Sequence, residues 1–339
     1  MKNDHEGQKG EHPLDVLSSL LGDDLVRVNA MILRNMESEV PLIPQLAAYL
    51  IAAGGKRIRP LLTLACTRLY GDDGDRPFSL AAAVEFIHTA TLLHDDVVDE
   101  STERRGKSSA NVVFGNQASV LVGDFLFSRA FQLMVADGSL EVLRILSTAS
   151  AVIAEGEVLQ LSSANDIETS MERYLQIIGA KTAALFAAAC EIGPVIARMD
   201  EAAQKDMRDF GYNLGLAFQI ADDVLDYAGE QAKLGKTVGD DFREGKLTAP
   251  VLIALGEADA AEREFWVRTM AERNQHDDDL ATAQAILKKH NAYARGIEMA
   301  HEYAAQAEAC LAKAPAGKKG EPLRSALLDV LNFSVERSA

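Results

Sequence analysis

The chain has only three cysteines, one tryptophan and nine prolines in 339 residues. Cys66, Cys190 and Cys310 are widely spaced and odd in number, which excludes a disulfide framework or a C-x-x-C pair. Inert, buried thiols are expected. Positive charge is also short: 34 Lys and Arg stand against 51 Asp and Glu, a net charge of −17. Nothing global attracts a polyanion, so nucleic-acid binding is set aside, and an anionic substrate would require local cations or metal ions. No uninterrupted apolar run approaches the roughly 18 residues of a membrane span. The opening MKNDHEGQKGEH has no apolar stretch of the kind a signal peptide uses. The expected location is the cytoplasm.

What is present is an ordinary globular composition, 48% hydrophobic and 25% charged, long enough to bury a large core. Between Pro77 and Pro194 lie 116 positions without proline, rich in Ala and Leu, a composition that helices tolerate and β-meanders rarely show. Residues 79–99 predict a helix with Ser79 as N-cap and Leu80, Val84, Ile87, Leu92 and Val98 in an apolar barrel. Residues 206–227 predict a second helix with Phe210, Leu214, Phe218, Ala221 and Leu225 on one face. Loop signals fall at 53–57, 71–77, 104–109, 162–170 and 229–246. None resembles a long linker, so the expectation is an all-α fold: residues 1–20 as a flexible N terminus and 21–339 as one domain of about ten or more helices. The more polar segment after about residue 256, with DDD at 277–279, reads as solvated helical periphery.

Two acidic clusters stand out. Asp95, Asp96 and Asp99 form DDxxD near the end of the first helix, and Asp222, Asp223 and Asp226 form DDxxD in the second. Both are flanked by residues suited to an interior, where unpaired charge is expensive. Positions i and i+4 share a helix face, so Asp95 with Asp99, and Asp222 with Asp226, can reach one ion each. Hard oxygen donors without Cys point to Mg²⁺, which typically takes one or two carboxylates together with substrate phosphates. Local cations accompany them: Lys56, Arg57 and Arg59 in GGKRIRP, where Gly54 and Gly55 let backbone amides approach an anion, then Arg104 and Arg105, Lys181 beside Thr182, Lys236, and Lys246. His88 lies two helical turns before Asp95, where a diphosphate oxygen is a credible partner. An E-x-x-H pattern at Glu85–His88 and Glu298–His301 raises a di-iron carboxylate bundle as a rival, which leaves both DDxxD motifs without a role.

In GGKRIRP at 54–60, EFIHTATLLHDDVVDE at 85–100, RRGK at 104–107, GNQASVLVGDFLFSRAFQLM at 115–134, GAKTAALF at 179–186, FQIADDVLDY at 218–227 and GKTVGDDFREGKLTAP at 235–250, the chain resembles the all-trans polyprenyl diphosphate synthases. These enzymes elongate isoprenoid chains head to tail. The stretch from 85 to 134 looks most like the long-chain members that make octaprenyl, solanesyl or decaprenyl diphosphate for quinone tails.

The resemblance implies an antiparallel helical bundle around a deep central cavity, assembled as a homodimer. It implies that Asp95, Asp99 and Asp222 hold three Mg²⁺ ions bridging an allylic diphosphate, assisted by Asp96, Asp223 and Asp226. Arg104, Lys181, Lys236 and Lys246 would bind that diphosphate, with Thr182 and Gln219 lining the reacting centre. Lys56, Arg59, His88 and Arg105 would bind isopentenyl diphosphate. Small residues at Ala90 and Thr91, just ahead of Asp95, favour a long product, and Phe131 and Met134 read as core filler or as the floor of the product tunnel. A long apolar product also raises a peripheral membrane contact at release. Within the family the alternatives are a farnesyl or geranylgeranyl diphosphate synthase and a non-catalytic subunit of a two-component synthase, the latter expected to lose an acidic cluster or site cations that are intact here.

Overall fold

The structure is a computed structural model that describes residues 12–52, 54–104, 106–228, 238–315 and 320–336. Helices α1 (Pro13–Leu20), α2 (Gly22–Asn35), α3 (Leu42–Ala52) and α4 (Ile58–Leu69) lead into the long α5 (Arg76–Val98). A two-stranded antiparallel hairpin, Glu103–Arg104 with Lys107–Ser108, follows, and then α6 (Ala110–Phe114), α7 (Asn116–Asp137) and α8 (Leu140–Ser162). Next come α9 (Met171–Ile178), a π-helical turn at Gly179–Ala183, α10 (Ala184–Ile196) and α11 (Glu201–Ala228). The remainder is α12 (Asp240–Arg243), α13 (Ala249–Leu255), α14 (Ala260–Trp266), a second π turn at Val267–Ala271, α15 (Asp279–Lys289), α16 (Ala292–Leu311) and α17 (Gly320–Glu336). The all-α expectation holds, the hairpin being the one exception among the described residues.

α5 and α10 form the centre. α5 packs on α4 and α7, and α10 packs on α4, α8 and α11. Buried Leu80, Ala81, Val84, Ile87 and Ala90 account for the apolar barrel of α5, but Val98, expected inside it, is 61% exposed because the helix has by then left the core. α5 also begins earlier than the sequence suggests. Asp75 precedes it and Pro77 occupies the first turn, where a missing N–H and a fixed φ cost nothing. Ser79 sits inside the helix and its hydroxyl donates to the Arg76 carbonyl. The boundary at residue 20 moves as well: Pro13–Leu20 is helical, with Leu14 and Leu17 buried where α1 meets α17. The rest of the expected flexible terminus, residues 1–11, lies outside the described residues.

Cys66 and Cys190 are buried and Cys310 half-buried. Burial pushes the Cys190 thiol well up, with Cys66 beside it adding to the shift, which makes the Cys190 thiol a poor nucleophile. Two stretches, Asn116–Asp137 and Met171–Ile196, are long and apolar enough to cross a membrane, but 67% of the apolar window of the second is buried inside the bundle. Core position explains its composition.

Candidate active site

The two acidic clusters lie on α5 and α11, and charge links them. Asp95 is flanked by Asp99, Glu157 of α8, Lys181 of the π turn and Arg104 of the hairpin. Burial, with Glu157 next, pushes the Asp95 carboxyl up to about 7. At the other helix, burial raises Asp223 to about 7 against hydrogen bonds from Tyr174 and Gln219 that lower it. Asp241 is raised well above the carboxylate range by burial and by the neighbouring Asp223 and Asp226. Lys246 joins the halves: its ammonium reaches Asp99 Oδ2 at 3.4 Å and also contacts Glu244. Burial disfavours that charge, yet the surrounding Asp241, Asp99 and Glu244 outweigh it and hold the Lys246 pKa above its ordinary value.

The π turn supplies the residues between the clusters. A wider turn within a helix is a frequent device at functional sites, and this one carries Lys181 and Thr182. Lys181 pairs with Glu157 at 2.7 Å and donates to Gln160 at 3.0 Å. Thr182 donates to Gln219 Oε1 at 2.9 Å, Gln219 Nε2 donates to Asp223 at 2.7 Å, and the Tyr174 hydroxyl closes the chain on the other Asp223 oxygen at 2.5 Å. α8 can approach the turn because position 156 is glycine; a Cβ there would meet the Ala180 Cβ at 2.6 Å.

A second cation group lies at the start of α4. Arg57 adopts a left-handed backbone, φ 51°, just before the helix, a conformation that non-glycine residues adopt mainly where function or packing imposes it. Its guanidinium pairs with the buried Glu85. Arg59 lies 3.2 Å from His88 Nε2 and stacks over Phe186 at 4.4 Å. Lys56 is exposed, with His12 at 2.7 Å.

Several expectations change. Asp96, only 2% exposed, is bound by Arg104 through Nε at 2.8 Å and a terminal nitrogen at 2.6 Å. It anchors the hairpin by holding Arg104 in place. Asp223 likewise faces Tyr174 and Gln219, so it holds the reacting-centre residues. Asp222 and Asp226 are half-buried, and Asp226 accepts the Asp241 N–H at 3.1 Å and the Gly239 N–H at 2.8 Å, fixing the return of the chain. Phe131, expected as core filler or tunnel floor, is 41% exposed on α7, whereas Met134 is buried. Ala90 is buried, and Thr91 is half-buried with its hydroxyl bound to the His88 carbonyl. Arg105 and Lys236 lie outside the described residues. Glu85 is engaged by Arg57, and Glu298 and His301 are exposed on α16, so the di-iron bundle has no ligand set. Sequence reasoning overlooked Glu157, Gln160, Tyr174, Asp241 and Glu244. Only Asp241 and Glu244 had a signal, lying within GDDFREGK.

The model of the family described as polyprenyl synthetase matches residues 40–287. The chain belongs to the polyprenyl synthetase family. Octaprenyl diphosphate synthase of Escherichia coli (strain K12) is 44% identical over 324 residues, 96% of this chain and 99% of the relative. A decaprenyl diphosphate synthase from Rhodobacter capsulatus superposes with a TM-score of 0.92 at 51% identity, covering 96% and 100% of the two chains. A polyprenyl synthase from Caulobacter crescentus CB15, solved with calcium and isoprenyl diphosphate, gives a TM-score of 0.91 at 52% identity over 96% and 98%. As a polyprenyl synthetase the chain is a prenyltransferase of the long-chain, all-trans kind, with the isoprenoid synthase fold.

Proposed function

We propose that this enzyme elongates an allylic diphosphate such as farnesyl diphosphate by successive head-to-tail condensation with isopentenyl diphosphate, to a product of about eight to ten isoprene units, the lengths named for two of its relatives. The decaprenyl length is favoured by the 51% identity to the R. capsulatus enzyme, and the quinone side chain is its destination. One observation carries the reading: two DDxxD clusters in charge contact through Lys246, with Lys181, Thr182 and Gln219 between them.

The residues fit magnesium. Burial first, and then neighbouring carboxylates, raise Asp95 and Asp241, so the charged carboxylates of this site gain from a cation beside them. Magnesium typically takes only one or two carboxylates and completes its shell with waters and substrate phosphates, a demand that the carboxylates of each DDxxD cluster can meet. Three ions held by Asp95, Asp99 and Asp222 would supply the positive charge that the departing diphosphate needs.

Lys181, Lys246, Lys236 and Arg104 bind and orient the allylic diphosphate, and Lys56, Arg59, His88 and Arg105 bind isopentenyl diphosphate. The allylic C–O bond breaks with its electron pair going to the diphosphate, in a site shielded from water. The isopentenyl C=C then supplies the pair for the new C–C bond. A proton leaves to the released pyrophosphate and an allylic diphosphate one unit longer is regenerated. The product grows past Ala90 and Thr91. An apolar exposed face at Val112, Val113, Leu121, Phe131 and Val135 supports assembly as a homodimer. The enzyme acts in the cytoplasm and meets a membrane only peripherally, at product release.

The test is incubation with farnesyl diphosphate, labelled isopentenyl diphosphate and Mg²⁺, with and without EDTA, followed by sizing of the dephosphorylated products. A metal-dependent ladder of long products is expected. No incorporation with any allylic primer would refute the reading.

A further inference from the structure

His12 precedes α1, and its ring stands beside the isopentenyl diphosphate cations. His12 Nε2 is 2.7 Å from Lys56 Nζ. Phe333 of α17 backs both groups, its ring centroid 4.3 Å from that of His12 and 5.6 Å from the ammonium. The other ring nitrogen, Nδ1, accepts the Leu14 N–H at 3.2 Å and caps α1.

A neutral imidazole has one N–H and one lone pair, and here both nitrogens face donors. If Nδ1 accepts the cap, Nε2 carries the proton and points it at an ammonium. If Nε2 accepts from Lys56, the cap is lost. Burial, and then the Lys56 charge, lower the His12 pKa, with only Asp15 acting the other way, so the ring is mainly neutral at pH 7. Protonation would not relieve the conflict, since it turns both ring nitrogens into donors. An anionic oxygen shared by the two groups does relieve it: Nε2–H and the ammonium both donate to the oxygen, and Nδ1 keeps the cap.

We propose that His12 is a binding residue for isopentenyl diphosphate, donating Nε2–H to the phosphate oxygen that Lys56 holds, an inference that rests on the assignment of Lys56 to that substrate. The N-terminal helix thereby becomes part of the binding site.

The variant His12→Asn separates the two jobs, because Asn caps a helix as well as any residue but has no second group to reach Lys56. It should raise KM for isopentenyl diphosphate about tenfold, the loss of one hydrogen bond to a charged group. The turnover number, KM for the allylic substrate and the melting temperature should stay at the wild-type level. Lys56→Met should raise the same KM, and adding His12→Asn to it should raise KM by less than His12→Asn does alone. An unchanged KM in His12→Asn beside a raised one in Lys56→Met overturns the His12 contact alone, as does a fall in melting temperature with both KM values moving together. If Lys56→Met also leaves KM unchanged, the assignment of Lys56 fails and takes the His12 contact with it.

Discussion

The Lys246 ammonium lies 3.4 Å from Asp99 Oδ2, across 147 positions of sequence. The loop that follows the second acidic cluster is thereby tied to the end of the first. The two DDxxD motifs form one electrostatic unit, and a change at either is felt at the other through this lysine.

Asp95 and Asp223 both have carboxyl pKa values raised to about 7, with burial the leading cause. Each therefore binds its proton more tightly folded than unfolded. Their stabilising contribution is fully present below the ordinary carboxylate value near 4 and is lost as pH rises through 7. The metal-free protein in EDTA should melt at progressively lower temperature from pH 5 to pH 8. Asp95→Asn should flatten that slope, abolish turnover and leave the fold intact. Thermal denaturation across pH, with circular dichroism and an activity assay at saturating Mg²⁺, checks all three.

Tyr174→Phe removes the 2.5 Å hydrogen bond to buried Asp223 and leaves one carboxylate oxygen without its donor. The expected cost is about 1–3 kcal/mol of stability, measured by denaturant unfolding. Turnover should also fall, because Asp223 orients Gln219 and, through it, Thr182.

Ala90 is fully buried and Thr91 half-buried on α5. Phenylalanine at either position should shorten the product, as read by chain-length analysis after dephosphorylation. Ala90→Phe should also destabilise by about 1–3 kcal/mol through overpacking, whereas Thr91 is only half-buried, so Thr91→Phe should shorten the product at a smaller cost. An unchanged product from both would show that neither lines the tunnel.

Gly156→Ala would bring a Cβ within 2.6 Å of the Ala180 Cβ and 3.2 Å of the Lys181 nitrogen. The π turn or α8 must shift, and the Lys181 contacts with Glu157 and Gln160 shift with it. A several-fold loss in kcat/KM for the allylic substrate is expected in steady-state assays, larger than the accompanying change in melting temperature.

Much of this was legible in the sequence because helical spacing carries information within one element. The barrel of α5, the inner face of α11 and both DDxxD motifs are patterns of period 3.6. The start of α5 was misplaced because Ser79 looked like a cap while Pro77 was already in the first turn. Spacing also could not distinguish the carboxylates. Asp96 and Asp223, the second aspartates of their motifs, turn away from their neighbours to Arg104 and Tyr174, and those partners lie 8 and 49 positions away. Glu157 and Gln160 were invisible for the same reason, since a polar pair on α8 is unremarkable until Lys181 is seen facing it. The exposure of Phe131 was not legible either, since an aromatic on a helix gives no sign of which side is covered.

The π turn at Gly179–Ala183 also acts as a register device. α9, the turn and α10 run as one continuous rod, and an ordinary α-helix advances each residue by about 100°. One extra residue in a single turn rotates everything after it by that amount. Leu185, Phe186, Cys190 and Ile196 of α10 are buried in the orientation the inserted residue sets, while Tyr174 and Ile177 of α9 are buried in the orientation before it. Deleting Gly179, which carries no side chain, would leave every side chain of the rod chemically present and turn one half of it against its neighbours. In this helix, length is therefore less negotiable than identity.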